Sequence, residues 1–247
     1  MKFLELKDIS ERHIDLVNPT SPEKILTAGR VAGMAPGQRV IDFGCGYAAP
    51  LALWAQAYGI AGVGIDIRPA ACERARQNLA NKDLSRQIEI VCASGAAYVF
   101  EPNTFDVATC IGASFIWPNG FSGAVRAMKS AIKPNGRLIV GEVFWNDPRL
   151  VPPDILAREA AIYPETEIYA KAREAGCEVI YALHSNQDDW DHYVVENWRG
   201  LSDWLDENPH HPDYAQVLAH MRENQDNYAA YERQHLGWAL YILKQSR

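Results

Sequence analysis

The chain has 247 residues, 48% of them apolar, and its 24 Lys and Arg against 31 Asp and Glu give a net charge of −7. This length and composition suit one large domain with a buried core and argue against disorder. No apolar run approaches the roughly 20 residues of a membrane span. The first residues mix both charges, and the acidic balance disfavours binding along nucleic-acid phosphates. We expect neither a secreted, a membrane-spanning nor a histone-like protein.

The five cysteines are odd in number, widely spaced and without a CxxC pair. This pattern predicts neither a disulfide framework nor a zinc site, and is typical of reduced thiols in the cytoplasm. The pair His210 and His211 has no third ligand nearby in the sequence, so we predict no metal.

Short runs rich in Val and Ile alternate with helix-length segments between residues 38 and 145. Ser21 followed by Pro22 predicts a helix start, so that residues 1–36 form a helical lead-in. Helices are predicted over 69–80 and 121–132, with a helix stop and turn at 133–136. The runs predicted as strands are 39–43, 62–67, 88–92, 105–111 and 137–142.

Two further runs, 177–183 and 237–243, predict a sixth and a seventh strand. The segment 187–234 between them is acidic, aromatic and predicted to be helical. The fold class is therefore α/β: a doubly wound, mostly parallel seven-stranded sheet with helices on both faces and a helical insert before the last strand. We expect one domain over 1–247, with a ligand-binding core at 37–145 and an acceptor-side half at 146–247.

In such a sheet, ligands lie beyond the carboxyl ends of the strands. The first strand ends in the sequence from Asp42 to Ala49, which is Asp-Phe-Gly-Cys-Gly-Tyr-Ala-Ala, and the second ends in Asp66. The glycines allow backbone to approach a ligand, and Asp66 is placed to accept hydrogen bonds from a ribose diol. Gly44-x-Gly46-x-x-Ala49 also satisfies a loose dinucleotide motif, which leaves a nicotinamide-dependent oxidoreductase open. Asp42 instead suits a cationic ligand, such as an amino-acid ammonium beside a sulfonium.

Four segments together resemble the class I S-adenosylmethionine-dependent methyltransferases: 42–46, 64–67, 105–108 and 132–137. The resemblance covers about residues 20–145 in the correct order. The remainder resembles the bacterial YjhP-like branch of that family. The resemblance implies a Rossmann-like methyltransferase fold, S-adenosylmethionine as cofactor and S-adenosylhomocysteine as product.

Carried over by position, the resemblance implies that Asp42 and the loop Gly44, Cys45 and Gly46 contact the methionine moiety. Asp66 would hold the ribose hydroxyls, and Ile67 would lie against the adenine. Ser94 stands beside Gly95 where the family usually has an acidic residue near the adenine amino group. The end of the fourth strand would line the methyl group and sulfur through Cys110, Ile111 and Gly112.

The acceptor side is predicted from aromatic and titratable residues near the strand ends. Phe115, Trp117 and Trp145 follow strands four and five, and Tyr231 lies near the last strand, so all four are candidates for substrate binding. Glu142 and His235 are candidate catalytic residues for proton transfer. Packing accounts for Phe115, Trp117 and Trp145 equally well, and a structural ion pair does so for Glu142. The sequence favours an ordinary surface or core histidine over a catalytic one at His235, and a core position for most aromatics of the insert, Tyr231 among them.

The acceptor class follows from what the sequence lacks and from its charge. The Asn/Asp-Pro-Pro-aromatic motif of amino-methylating nucleic-acid enzymes is absent after strand four, where Gly112-Ala113-Ser114-Phe115 stands instead. We therefore expect a small-molecule acceptor, with no nucleic-acid or membrane partner. The methylated atom and the choice between monomer and homodimer stay open, as does a non-catalytic protein that only binds the cofactor.

Overall fold

The computed structural model describes residues 1–246, in which one mixed sheet is flanked by helices. The strands are β1 Arg39–Phe43, β2 Ala61–Asp66, β3 Ile88–Cys92, β4 Phe105–Ile111, β5 Ile132–Trp145, β6 Tyr163–Pro164, β7 Cys177–His184 and β8 Leu236–Gln245. The helices are α1 Phe3–Ser10, α2 Pro22–Val31, α3 Ala49–Tyr58, α4 Pro69–Ala80, α5 Gly120–Ala131, α6 Pro153–Arg158, α7 Glu165–Glu174, α8 Gln187–Glu207, α9 Tyr214–Asn227 and α10 Arg233–His235.

The strand order is β3-β2-β1-β4-β5-β8-β7, with the two-residue β6 paired to the end of β5. All pairs are parallel except those of β8, which runs antiparallel to both β5 and β7. The predicted doubly wound, mostly parallel sheet is confirmed, and β6 is an addition to it. The strand order reverses between β1 and β4, which is where such sheets bind ligands.

The two faces of the sheet explain why its strands are apolar throughout. Along β8, Trp238, Leu240 and Ile242 pack with α2, α3 and α4 on one face. Ala239, Tyr241 and Leu243 alternate with them and pack with α5 and α7 on the other face. A strand buried on both sides needs apolar residues at every position, so a continuous run predicted it correctly.

The segment after α5 differs from the expected turn. Phe105 pairs with Ile132, but the next pair in register is Val107 with Arg137, so residues 133–136 form an irregularity inside β5. Asn135 there has a φ of 68°, which Asn tolerates better than most residues. The strand therefore begins directly at the helix end and continues to Trp145, beyond the predicted residue 142.

The N-terminal helix and the late helices pack on each other. Leu6 of α1 shares a small buried cluster with Leu201 and Leu205 of α8 and with Val217 of α9. Gly200 lies so close to α1 that an added Cβ would be 2.5 Å from the carbonyl oxygen of Ser10. No helix within residues 1–246 is long and apolar enough to cross a membrane.

Candidate active site

The glycine loop after β1 is fixed to the end of β2 by backbone hydrogen bonds. The amides of Gly44 and Cys45 both donate to the carbonyl of Ile65, at 2.8 and 3.0 Å. Gly44 and Gly46 have φ of 74° and 53°, a region that favours glycine. A Cβ on Gly44 would lie 2.5 Å from the Cβ of Ala113. The loop therefore needs glycine both for its backbone conformation and for its close approach to the segment after β4.

Asp66 is the last residue of β2 and is held by two backbone donors. Its Oδ2 accepts from the amide of Gly46 at 2.9 Å, and its Oδ1 accepts from the amide of Arg68 at 2.9 Å. Each carboxylate oxygen has a second lone pair free to accept from a ligand. The carboxylate is thereby oriented before any ligand arrives.

Asp42 lies deeper, within β1, and is 2% exposed. Burial raises its pKa to about 7, the nearby Asp66 adds to the rise, and a hydrogen bond from Thr109 opposes it. A carboxyl group with this pKa is ready to ionise near neutral pH when a cation approaches.

Residues 15–20, which we call the strap, run across the glycine loops between α1 and α2. The side-chain amide of Asn18 donates to the carbonyl of Ile111 at 3.1 Å. A Cβ on Gly112 would lie 1.9 Å from Asn18 Oδ1, and one on Gly46 would lie 2.9 Å from Val17 Cγ2. The strap is thus in direct contact with two of the glycines predicted to bind the cofactor.

Three cavities surround the strap. The main cavity has a volume of about 410 Å³ and opens at the ends of β1, β2 and β4. A narrow cavity of about 10 Å³ lies between the strap and Asp42. A side cavity of about 340 Å³ lies between the strap and the first turn of α8. The main and side cavities have the size of small-molecule sites.

Most of the predicted cofactor-binding residues meet in these cavities. Of these residues, the main cavity is lined by Gly44, Gly46, Asp66, Ile67, Ser94, Gly95, Ile111 and Gly112. Asp42 and Cys45 line the narrow cavity instead. Cys110 is fully buried in the core and lines none of the three, since its side chain points away from the strand end into the core cluster beneath α5.

Of the four aromatic residues predicted on the acceptor side, only Phe115 lines a cavity. Phe115 is 79% exposed and lines the main cavity. Trp117 is buried and packs edge-on against Phe43, with ring centroids 5.3 Å apart. Trp145 and Tyr231 share a buried cluster, with ring centroids 6.2 Å apart. The last three line none of the cavities because the core and the late helices cover them.

Neither candidate catalytic residue lines a cavity. Glu142 accepts a hydrogen bond from Ser114, and its pKa is raised by burial although that bond and the amide of Val143 oppose the rise. His235 ends α10, and its carbonyl accepts from the amide of Asn146 at 2.9 Å. A catalytic role for either one stays a prediction.

Helix α1, with Glu11 directly after it, forms a wall of the main cavity that no sequence motif indicates. Phe3, Leu4, Lys7 and Glu11 all line the main cavity. Phe3 and Leu4 expose apolar side chains at its mouth. Phe3 and Leu4 are adjacent and stand beside a charged residue, so they form no amphipathic pattern in the sequence. Only the packing of α1 on α8 shows that this helix is a wall of the cavity.

Glu11 anchors α1 to the site through a buried ion pair. Arg68 donates to Glu11 Oε2 at 2.8 Å and to Asp8 at 3.2 Å, and its Nε lies 3.6 Å from Asp66. Lys7 lies 2.8 Å from the same Glu11. Burial opposes ionisation of Glu11, but Lys7 and Arg68 outweigh it and hold its pKa below the ordinary value. The network links α1 to the carboxylate at the end of β2.

Residues 1–246 contain no cluster of three or more His, Cys, Asp or Glu placed to hold a metal ion.

Comparison with known proteins places this arrangement in a family. Residues 40–136 match the family described as "Methyltransferase domain". YjhP from Escherichia coli strain K12 is 30% identical over 241 residues, covering 95% of this chain and 96% of that protein. The chain therefore belongs to the S-adenosylmethionine-dependent methyltransferases, as the sequence motifs predicted.

Solved structures support the same assignment along the whole chain. A methyltransferase from Thiobacillus denitrificans, in complex with S-adenosyl-L-homocysteine, has a TM-score of 0.90 and 29% identity and covers 99% of this chain and 100% of its own. One from Geobacter sulfurreducens, with the same ligand, has a TM-score of 0.89 and 28% identity and covers 98% of both chains. Family membership decides against the nicotinamide alternative that the glycine motif left open.

Proposed function

We propose that this protein transfers a methyl group from S-adenosylmethionine to a small-molecule acceptor, with the main cavity as the cofactor site. One observation carries the proposal: Asp66, oriented by the amides of Gly46 and Arg68, stands at the wall of a cavity of about 410 Å³ beside the glycine loop. A fixed carboxylate with free lone pairs is the acceptor that a ribose diol needs.

The other walls suit the remaining parts of the cofactor. Ile67, Ile116 and Phe115 offer apolar surface for an adenine ring, and Ser94 offers a hydroxyl at the same end. At the opposite end, Gly44 exposes backbone, and Asp42 lies behind it as a carboxyl group for an ammonium. When bound, the cofactor supplies an activated methyl group on a sulfonium.

The chain contributes alignment and exclusion of water more than acid or base chemistry. Displacement at a methyl carbon needs the nucleophile in line with the leaving group, so positioning supplies much of the rate. Residues of the strap and of α1 line the main cavity, so both segments are placed to exclude water from a bound ligand. We propose that the insert 187–234 acts with α1 as the acceptor-side lid of a single domain.

The acidic net charge of the chain and the helices packed beside the main cavity both support a small acceptor. The net charge is −7, and α1, which lines the main cavity, packs with α8 and α9. A long nucleic acid needs an open basic surface instead. We also propose a cytoplasmic location, which is supported by five cysteines that are all free thiols.

Transfer of a labelled methyl group tests the proposal. The protein is incubated with methyl-labelled S-adenosylmethionine and pools of small amines, alcohols, thiols and acids, with duplex DNA and tRNA as separate acceptors. We expect label only in small-molecule products, and loss of that label in Asp66→Ala. Label in nucleic acid would contradict the acceptor class. Tight cofactor binding without transfer to any acceptor would support a non-catalytic binding protein instead.

A further inference from the structure

We propose that Asn18 of the strap distinguishes S-adenosylmethionine from S-adenosylhomocysteine, because its side-chain oxygen faces the sulfonium. This inference rests on the proposed function, since it assigns a further contact within the same cofactor site. The two ligands differ only by the methyl group on sulfur and by the positive charge that this group brings. A contact that responds to the charge favours the substrate over the product, and so limits inhibition by the product.

The junction between the main and the narrow cavity is the place for the sulfur atom. In the cofactor, sulfur links the ribose to the amino-acid chain. Asp66, the proposed partner of the ribose, lines the main cavity, whereas Asp42, the proposed partner of the ammonium, lines the narrow one. A ligand that reaches both carboxylates therefore has its sulfur between the two cavities.

Four residues line both cavities and thus define the junction: Val17, Asn18, Gly44 and Ile111. Among these four, only Asn18 has a polar side chain. Its Nδ2 already donates to the carbonyl of Ile111 at 3.1 Å, which fixes the orientation of the amide. Its Oδ1 accepts no hydrogen bond within residues 1–246, yet it keeps solvent-accessible surface. The amide therefore offers a ligand one free acceptor, its oxygen.

Gly112 makes room for this oxygen. A Cβ on Gly112 would lie 1.9 Å from Asn18 Oδ1, and the three atoms nearest to it would all belong to the Asn18 amide. The backbone around Asn18 is held as well, since the amide of Thr20 donates to the Asn18 carbonyl at 2.8 Å and Ser185 donates to the carbonyl of Pro19. The oxygen is thus in place before a ligand binds.

A fixed amide oxygen attracts a sulfonium more strongly than a neutral thioether. The oxygen carries the negative end of the amide dipole, and the apolar side chains of Val17 and Ile111 beside it reduce screening by water. Asp42 and Asp66 are assigned to groups that both ligands share, the ammonium and the ribose hydroxyls. Asn18 is therefore the residue whose loss should change the ratio of the two affinities.

Calorimetric titration with each ligand at the same pH tests this inference without requiring turnover. The variant Asn18→Leu keeps the branched shape of the side chain and removes both of its polar atoms. We expect the affinity for S-adenosylmethionine to fall by about fivefold or more, and that for S-adenosylhomocysteine by less than about twofold, because only the cation loses a charge-assisted contact. Equal losses for the two ligands would overturn the inference.

Two further variants separate the oxygen from the anchoring of the strap, because Asn18→Leu also releases the strap from Ile111. The matched control is Ser185→Ala, which removes a side-chain donor to the strap carbonyl of Pro19 and leaves the junction intact. It should change both affinities by the same factor. Asn18→Asp retains an oxygen at the junction and should keep the wild-type preference for S-adenosylmethionine or increase it. A selective loss of S-adenosylmethionine binding in either variant would contradict the assignment.

The outcomes also separate this inference from the proposed function. If wild type binds both ligands and Asn18→Leu leaves the ratio of their affinities unchanged, only the role of Asn18 is overturned. If wild type binds neither ligand, the proposed function is overturned and this inference with it.

Discussion

The hydroxyl of Thr109 donates a hydrogen bond to Asp42 Oδ1 at 2.6 Å, between residues that are direct partners on the neighbouring strands β4 and β1. Both side chains are almost completely buried. Burial raises the pKa of Asp42 to about 7 even though this bond favours the charged form. The site thus holds a carboxyl group whose charge changes near neutral pH.

Asp42 should make the protein less stable as the pH rises from 4 to 7. Over this range the unfolded chain has released the proton, since an unperturbed Asp titrates near about 3.9, while the folded chain retains it. The free energy of unfolding therefore falls, by up to about 1.4 kcal/mol per pH unit. Urea denaturation of wild type and Asp42→Asn at pH 4 to 8 measures the difference in slope.

The variant Asp42→Asn should lose this contribution because its amide does not titrate, while the Thr109 hydroxyl still has an oxygen to donate to. The exposed Asp154→Asn should keep the wild-type slope. Parallel curves for wild type and Asp42→Asn would show that Asp42 does not titrate in this range.

Asp66→Ala should weaken binding of S-adenosylhomocysteine by about 1–3 kcal/mol, the cost of leaving polar partners unpaired. It also removes the partner of the Gly46 and Arg68 amides, so stability falls as well. Asp106→Ala is the matched control, because Asp106 also accepts a backbone amide, that of Arg39 at 2.8 Å, but near the start of β4. Calorimetric titration should show reduced affinity for S-adenosylhomocysteine only in Asp66→Ala. Equal affinity in both variants would contradict the assignment of Asp66 to the ribose.

Gly44→Ala should lower the free energy of unfolding by more than the cost of placing an alanine in the left-handed region of φ. The φ of Gly44 is 74° and an added Cβ would lie 2.5 Å from Ala113. Gly33 has a φ of 78° but nothing within 4 Å of the added Cβ, so Gly33→Ala measures the conformational cost alone. That cost is about 1 kcal/mol. Thermal unfolding of the two variants side by side should give a clearly larger loss at Gly44, and similar losses would contradict the close contact.

Arg68→Met should destabilise the protein by about 1–3 kcal/mol, since buried Glu11 then keeps only Lys7 as a charged partner. Adding Glu11→Gln to this variant should recover part of the loss, because without the guanidinium the carboxylates of Glu11, Asp8 and Asp66 repel one another and the change removes one of them. Arg149→Met, which breaks an exposed pair with Asp147, should cost less than about 1 kcal/mol. Urea denaturation of five proteins tests this: wild type, Arg68→Met, Glu11→Gln, their double variant and Arg149→Met. Additive effects of the Glu11 and Arg68 changes would contradict their coupling.

The sequence predicted the parts of the fold and site that are encoded locally. The strand β8 was recognisable because burial on both faces requires an unbroken apolar run. Ser21 was recognisable as an N-cap, and its hydroxyl accepts from the amide of Lys24 at 3.3 Å. The glycine loop and Asp66 follow strand ends, and the strand ends of a parallel sheet meet at one edge.

The rest of the site depends on contacts between distant segments. Glu11 and Arg68 are 57 residues apart in the chain, and neither lies in a pattern that indicates the other. Proximity to strand ends in the sequence predicts Trp145 and Tyr231 as candidates for substrate binding. In the structure the two side chains are buried against each other. They are 86 residues apart in the sequence, but the pairing of β5 with β8 at Trp145 and Leu236 brings them together.

Calorimetric titration with S-adenosylhomocysteine, and separately with NAD, tests the central claim most directly. We predict binding of S-adenosylhomocysteine in the micromolar range, at one site per chain, and no heat of binding with NAD. Binding of NAD without binding of S-adenosylhomocysteine would contradict the assignment of the main cavity, and the loop from Gly44 to Ala49 would then be a dinucleotide-binding turn.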